Sequence, residues 1–316
     1  MKAINTCPNA LKDRPVPEPR SRTATPRAKT TKSGTPAKRA TKKKAARSPA
    51  KPKFSAKTSD KHDLYQRSVQ DADFEVQFIT RVFKKLRNRK PLSVREDFCG
   101  TALFCAHWVK SDKQRTASGL DIEPSVLDWG RKRNLAPLGD AASRVTLLQQ
   151  DVLDKAPGKF DVGIAFNFSY WCFQDRPTMV RYFRRMYDAL LDDGVFFLDA
   201  YGGYESHEPD LEEPRKIEDG FTYIWHQDIV DPINNHVVNH IHFAFRDKTE
   251  WRKAFTYDWR LWSLPEIREL LLEAGFSRVT VYWEDADENG EGSGVYRPKR
   301  AVVNEAGWIA YILAEK

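Results

Sequence analysis

Four polar side chains stand where short apolar runs end. The runs are "PLSVREDF", "TASGLDI", "RVTLLQQDV" and "KFDVGIAFNF", and the side chains are Glu96, Asp121, Asp151 and Asn167. If the runs are parallel strands, their ends share the carboxyl edge of one sheet, where open α/β sheets bind ligands. Glu96 and Asp97 put negative charge at the first end. That charge repels a pyrophosphate and suits an ammonium or a sulfonium. Asp121 can accept from two vicinal ribose hydroxyls, and Asp151 from an exocyclic amine such as that of adenine. Asn167 adds a polar contact, with Tyr170 and Trp171 placed to wall the site. Together the four ends suit a cationic adenosine ligand. Gly100 lets the backbone approach it closely, and the helix that follows offers free N–H groups and the positive end of its dipole.

Each carboxylate also has a plain structural use. Glu96 can cap the helix that follows it. Asp121 can cap "EPSVLDW", and Asp151 can simply end a strand. Further along, "HVVNHIHFAF" puts His240 and His242 on one face of a strand. With no third ligand fixed by spacing, a polar strand face is the better reading, and no metal is expected. His226 and His240 are kept as substrate-pocket candidates. In "LYQRSVQDAD", Tyr65, Gln66 and Ser68 are candidates for a lid. "NFSY" lacks both prolines of the Asn-Pro-Pro-Tyr loop used by enzymes that methylate flipped bases.

The elements that must position these residues follow from pattern. "DADFEVQFITRVFKKLRNRK" has helical spacing, with Asp71 or Asp73 as its cap. After it, strands alternate with helices through "GVFFLDAYGG", the fifth strand. That order predicts a doubly wound, mostly parallel sheet. From "FTYIWHQDIVD" to "EWRKAFTYDWRLW" the pattern becomes alternating, with a turn at "DPINN", which predicts an antiparallel meander of about three strands. "SLPEIRELLLEAGF" is a capped helix, "RVTVYWE" a sixth strand and "GWIAYILAEK" a seventh. The last two are joined by a loop without a helix, so the last strand should run antiparallel. The expected fold is thus α/β, a seven-stranded sheet with one reversed strand and a β-rich insertion over residues 204–262.

Charge divides the 316-residue chain in two. Met1–Lys53 holds 16 Lys/Arg against 2 Asp/Glu, a net +14, and the remainder holds 36 against 42, a net −6. The basic part has few aliphatics and no aromatic, so it cannot bury enough apolar surface to fold. Residues 1–58 are expected to be a disordered tail and 59–316 the folded domain. The tail resembles those of linker histones. It suits salt-dependent, non-specific contact with nucleic-acid phosphates, or it is a solubilising extension with no partner. Four scattered cysteines suggest no disulfide framework and fit a reducing, cytoplasmic setting. No apolar run is long enough to span a bilayer, and no apolar signal core is present. Nothing in the sequence sets the oligomeric state.

From about Tyr65 to the C-terminus the chain resembles the class I S-adenosylmethionine-dependent methyltransferases. In that family the loop after the first strand commonly reads acidic–x–Gly–x–Gly–x–Gly. Here Glu96 stands at the acidic position and Gly100 at the central glycine, with Phe98 and Ala102 at the outer two. "LWSLPEIRELLLEAGF" resembles a "YTxxELxxLLxxAGF" run frequent in small-molecule members. The resemblance implies a Rossmann-like fold and S-adenosylmethionine as cofactor. It implies that Glu96 meets the methionine amino group, Asp121 the ribose, and Ile122, Asp151 and Val152 the adenine. Phe98 belongs to the cofactor loop, and Asn167 faces the methionine or the acceptor. The acceptor implied is a small molecule. A protein or nucleic acid recruited by the basic tail is the alternative, and a nucleotide-dependent oxidoreductase or an inactive relative is the third reading. In-line methyl transfer needs positioning in a dry pocket above all, so no obligatory catalytic residue is expected from sequence.

Overall fold

The computed structural model describes residues 54–288 and 292–316. The basic tail, Met1–Lys53, lies outside the described residues. Two helices come first, α1 (Lys61–Val69) and α2 (Ala72–Arg87). The alternating body follows: β1 (Ser93–Asp97), α3 (Leu103–Ser111), β2 (Thr116–Asp121), α4 (Pro124–Gly130), β3 (Val145–Gln149), β4 (Phe160–Ala165), α5 (Arg176–Ala189) and β5 (Leu190–Gly202). A separate antiparallel sheet is built from β6 (Leu211–Ile217), β7 (Phe221–Asp231), β8 (His236–Phe245) and β9 (Glu250–Arg260). The chain then returns through α6 (Leu264–Glu273), β10 (Arg278–Ala286), β11 (Gly292–Lys299) and β12 (Trp308–Glu315).

The large sheet has the order β3-β2-β1-β4-β5-β12-β10-β11. β1 to β5 are mutually parallel, and β12 runs antiparallel between β5 and β10. This is the expected doubly wound sheet with a reversed final strand, widened by one. The eighth strand, β11, lies in the segment expected to be a loop. The insertion likewise has four strands rather than three, the extra one being β6. Both additions are edge strands, mostly exposed, and each holds a proline (Pro298, Pro214). These two strands are exposed along almost their whole length, so they lack the alternation that makes a strand visible.

Alternation elsewhere sorts side chains onto two faces. Val195 and Phe197 of β5 join Val94 and Val162 under α2 and α3, packed with Phe78, Phe83 and Trp108. Phe196 and Leu198 face the other way, against Tyr182, Phe183 and Met186 of α5. That second core continues without a break into Ile241, Phe243 and Trp259 of the small sheet. Phe54 packs edge-on to Phe221 at 5.3 Å, and the Ala56 N–H donates to Thr249 Oγ1 at 3.1 Å. Both contacts tie the segment ahead of α1 to the small sheet. No described helix is long and apolar enough to cross a membrane.

Candidate active site

The loop after β1 takes a glycine-type path with one glycine in it. Phe98, Gly100 and Ala102 have φ of 57°, 51° and 54°, so every second residue is left-handed. For a residue with a Cβ this costs roughly 1–2 kcal/mol, and the surroundings must supply it. The Phe98 ring is pinned between Phe173 and Tyr182, at 5.9 and 5.7 Å. The Cys99 N–H donates to the Leu120 carbonyl (2.9 Å) and the Gly100 N–H to Asp121 Oδ2 (2.8 Å). The seats that receive the loop are themselves glycines. A Cβ on Gly130 would meet the Thr101 carbonyl oxygen at 2.4 Å, and one on Gly119 would meet Cys99 Sγ at 2.8 Å. Beside Gly100 the reverse holds, for a Cβ there would meet nothing within 4 Å. The loop thus presents open space where a ligand must pass over it.

Asp121 joins two loops. Its second oxygen accepts from the Glu123 N–H at 2.9 Å, while the helix cap of α4 is Glu123, not Asp121. Burial holds the Asp121 carboxyl above its ordinary range despite these bonds. Ile122 next to it is 47% exposed, an apolar surface left open beside the groove. Asp151 accepts from the Leu153 N–H at 2.9 Å, which closes the turn that buries Val152. That turn is tied to β1 from below. Arg95 and Asp97 form a buried ion pair at 2.7 Å, and Arg95 also reaches the Val152 carbonyl at 3.4 Å.

Glu96 departs from expectation. Its Oε2 accepts from the Cys105 N–H (3.2 Å) and thiol (2.9 Å), so it does cap the first turn of α3. Burial raises its pKa to about 8. At neutral pH it is mostly protonated and does not by itself place a charge at the strand end. Both bonds use one oxygen, which leaves Oε1 for a ligand.

α1 lies across this groove. Gln66 Nε2 donates to Thr101 Oγ1 at 2.6 Å, and the cap of α1, Asp60, accepts from Trp129 Nε1 at 2.8 Å. Tyr65, its neighbour, faces a cavity of about 940 Å³ between the end of the large sheet and the inner face of the small one. Asn167 and Phe168 border the same cavity, both left-handed with φ of 58° and 57°. Asp199 of β5 holds them there, accepting from the Asn167 N–H at 2.8 Å and the Phe168 N–H at 2.9 Å. Burial lifts the Asp199 pKa to about 7. Glu75 of α2 also borders the cavity. Burial first, then the charges of Asp199 and Glu96, push its carboxyl well above the ordinary range, and no described residue hydrogen-bonds it.

Four expected acceptor contacts are corrected. Tyr170 and Trp171 do not line the cavity. Both are fully buried behind it, with Tyr170 donating to the Asp199 carbonyl at 2.8 Å. His226 and His240 lie on the opposite face of the small sheet, because Tyr223, Trp225, Gln227 and Ile241 take the inward positions. Outside, His226, His242 and Glu212 bring three potential ligand atoms together. The hydrogen-bond chain opposes a metal there. The Lys253 N–H donates to His242 Nδ1 (2.7 Å), so the ring proton sits on Nε2. It is donated to His226 Nδ1 (3.1 Å), whose own proton points from Nε2 to Asp210 (3.2 Å). A metal at His242 Nε2 would need the proton moved to Nδ1, against the Lys253 N–H. Burial and the Arg252 charge push the His242 pKa down to about 4, which keeps the ring neutral in this tautomer.

Glu75 and Asp199 were not singled out in sequence, although each left a trace. Glu75 interrupts the apolar stripe of α2 formed by Ala72, Val76, Ile79 and Val82. Asp199 is the lone charge inside "VFFLDAY".

Residues 99–196 match a family model described as a methyltransferase domain. No curated protein matches the chain. Among solved structures, a S-adenosylmethionine-dependent methyltransferase from Clostridium acetobutylicum ATCC 824 is similar at TM-score 0.59 and 17% identity, over 80% of this chain and 96% of that one. DesVI from Streptomyces venezuelae is similar at 0.58 and 20%, over 80% and 95%. The sugar N-methyltransferase KedS8 from Streptoalloteichus sp ATCC 53650 is similar at 0.54 and 17%, over 89% and 99%. At these identities the likeness speaks for the fold. The family match covers the loop after β1, Asp121, Asp151 and Asn167, which removes the oxidoreductase reading. Loop, fold and domain match agree: residues 99–196 form a methyltransferase domain, set in the fold of the S-adenosylmethionine-dependent methyltransferases.

Proposed function

We propose that the enzyme methylates a small molecule held in the cavity beside Asn167. The cavity itself carries this reading, since about 940 Å³ roofed by the small sheet matches the volume of small-ligand sites, roughly 300–1,000 Å³. The cofactor groove fits S-adenosylmethionine in its donor set: open space over Gly100, the Asp121 carboxylate, the exposed Ile122 and the free Oε1 of Glu96. Bound there, the cofactor supplies an electrophilic methyl on a sulfonium. The chain's own residues then hold the acceptor in line and keep water out, which is the main source of rate in such a displacement. In this reading Phe98, Asp151 and Val152 shape the adenosine end, and Asn167 stands where groove and cavity meet. KedS8 is a sugar N-methyltransferase, in keeping with a small acceptor here.

A cytoplasmic setting belongs to the same proposal, supported by the buried free thiols of Cys99 and Cys105. Calorimetry with S-adenosylmethionine and S-adenosylhomocysteine, followed by transfer of a labelled methyl group to a metabolite panel, tests the proposal. Absence of binding, or transfer only to nucleic acid or protein and only with Met1–Lys53 present, defeats it.

A further inference from the structure

The cavity lining is lopsided in charge. Seven carboxylates border it (Glu75, Asp199, Glu205, Glu213, Glu284, Asp285 and Glu305) against one cation, Arg215. Arg215 is already engaged, donating to the Ser68 carbonyl and lying over the Tyr223 ring at 5.3 Å. The remaining wall is largely aromatic, including Tyr65, Trp225, Tyr257 and Trp259. A carboxylate-rich, aromatic cavity selects for cations, through charge and through ring faces.

Among these carboxylates Glu75 is distinct. Asp199 spends its oxygens on the Asn167 and Phe168 amides. Asp285 pairs with Arg297 and Lys299, and Glu284 accepts from the Gly294 N–H. Glu75 is 9% exposed and has no hydrogen-bond partner among the described residues, an arrangement that costs stability unless a ligand completes it. The charged groups acting on it are all acidic: Asp199 from β5, Glu96 from β1 and Asp71 ahead of α2. Tyr65 of α1 and Tyr311 of β12 face it as well.

We propose that the methyl acceptor is an amine that enters as its ammonium ion, and that Glu75 receives it and takes its proton. This rests on the small-molecule reading above. The Glu75 carboxylate accepts one proton from the ammonium, which frees the nitrogen lone pair. The lone pair forms the new N–C bond to the donor methyl as the C–S bond breaks, with that electron pair staying on sulfur. The product leaves as an N-methylammonium ion, and the proton on Glu75 returns to solvent. The raised proton affinity of Glu75 narrows its gap to an amine, the condition for efficient general-base work. Asp199 is a positioning residue, acting through the Asn167–Phe168 turn.

The test uses the full chain with matched primary amines and alcohols of equal carbon skeleton as probes. Labelled methyl transfer is expected to the amines and not to the alcohols. Glu75→Gln should lower kcat/KM for an amine at pH 7 at least about 100-fold, the usual scale for a general base. It should also move the acidic limb of the pH profile up to the pKa of the amine in solution, while S-adenosylmethionine affinity holds. Glu75→Asp should restore part of the rate. Transfer to alcohols alone, no transfer to any amine, or a pH limb unmoved by Glu75→Gln overturns the inference. Loss of cofactor binding by the unaltered protein defeats the small-molecule reading instead, so the two failures are told apart.

Discussion

The carboxylate of Asp121 holds the amide of Gly100 at 2.8 Å, and its other oxygen holds the amide of Glu123. One side chain thereby fixes the loops after β1 and β2 at a set separation, before any ligand is present. Asp121→Ala removes both bonds and leaves two amides to be satisfied by water. Bonds of this charged kind contribute roughly 1.5–3 kcal/mol each, so S-adenosylmethionine affinity should fall by at least about tenfold. Calorimetry on the variant checks this, and an unchanged Kd would remove Asp121 from the cofactor site.

Glu96 should report cofactor binding through its proton. Burial sets its pKa to about 8. An ammonium arriving at Oε1 favours the carboxylate and draws that pKa down. Binding at pH 7 should therefore release a fraction of a proton, and affinity should rise as pH climbs towards 8. The binding heat would vary with the ionisation enthalpy of the buffer, and Glu96→Gln would abolish the variation. Buffer-independent heat in the unaltered enzyme would place the ammonium elsewhere.

The same burial predicts how stability depends on pH. Glu96, Asp199 and Glu75 all have folded pKa values above their unfolded ones. Such groups bind more protons folded than unfolded, so stability is full below the unfolded pKa, near 4, and is lost as pH rises towards the folded values. His62, His240 and His242, lowered by burial, act in the opposite sense only up to about pH 6.5, so above that the ligand-free enzyme should lose stability towards pH 8. Glu75→Gln should flatten this slope. Thermal melts from about pH 6.5 to 8, above the histidine range, measure it, and a melting temperature that rises over that range would contradict the burial.

Two glycines should answer differently to alanine. At Gly130 a Cβ meets the Thr101 carbonyl at 2.4 Å, so the loop must shift. We expect a loss of about 1–3 kcal/mol of stability together with weaker cofactor binding. At Gly100 there is space, and the cost is the left-handed backbone alone, about 1–2 kcal/mol. Melting temperature and Kd for the two variants separate a packing role from a conformational one.

Zinc should leave the enzyme unmoved. The His242 and His226 protons are committed along a chain that starts at the Lys253 amide. Micromolar zinc should change neither Tm nor activity, and a rise in Tm lost in His242→Ala would show that the chain can be rewired.

Much of this was legible where a rule of spacing applied. The placement of Glu96, Asp121, Asp151 and Asn167 at the strand ends was readable because parallel strands end on one edge, and α6 because Ser263 and Glu266 complete a capping box. The histidines of β7 and β8 were misplaced for a specific reason. Alternation tells which residues share a face, but not which face turns inward. The apolar helical spacing of α5 runs on into Leu190, yet Leu190 is already a strand residue, paired with Phe160 and fully buried. Glu75 was hidden because its importance lies in what it lacks, and an unmade hydrogen bond has no pattern in sequence.

Tyr65 and Gln66 are consecutive in α1, yet one faces the acceptor cavity and the other grips the cofactor loop at Thr101. A nine-residue helix is too short to bend between them, so whatever frees one side frees the other. Loosening the Gln66–Thr101 bond should therefore be felt at Tyr65 in the cavity, so that neither side is altered alone.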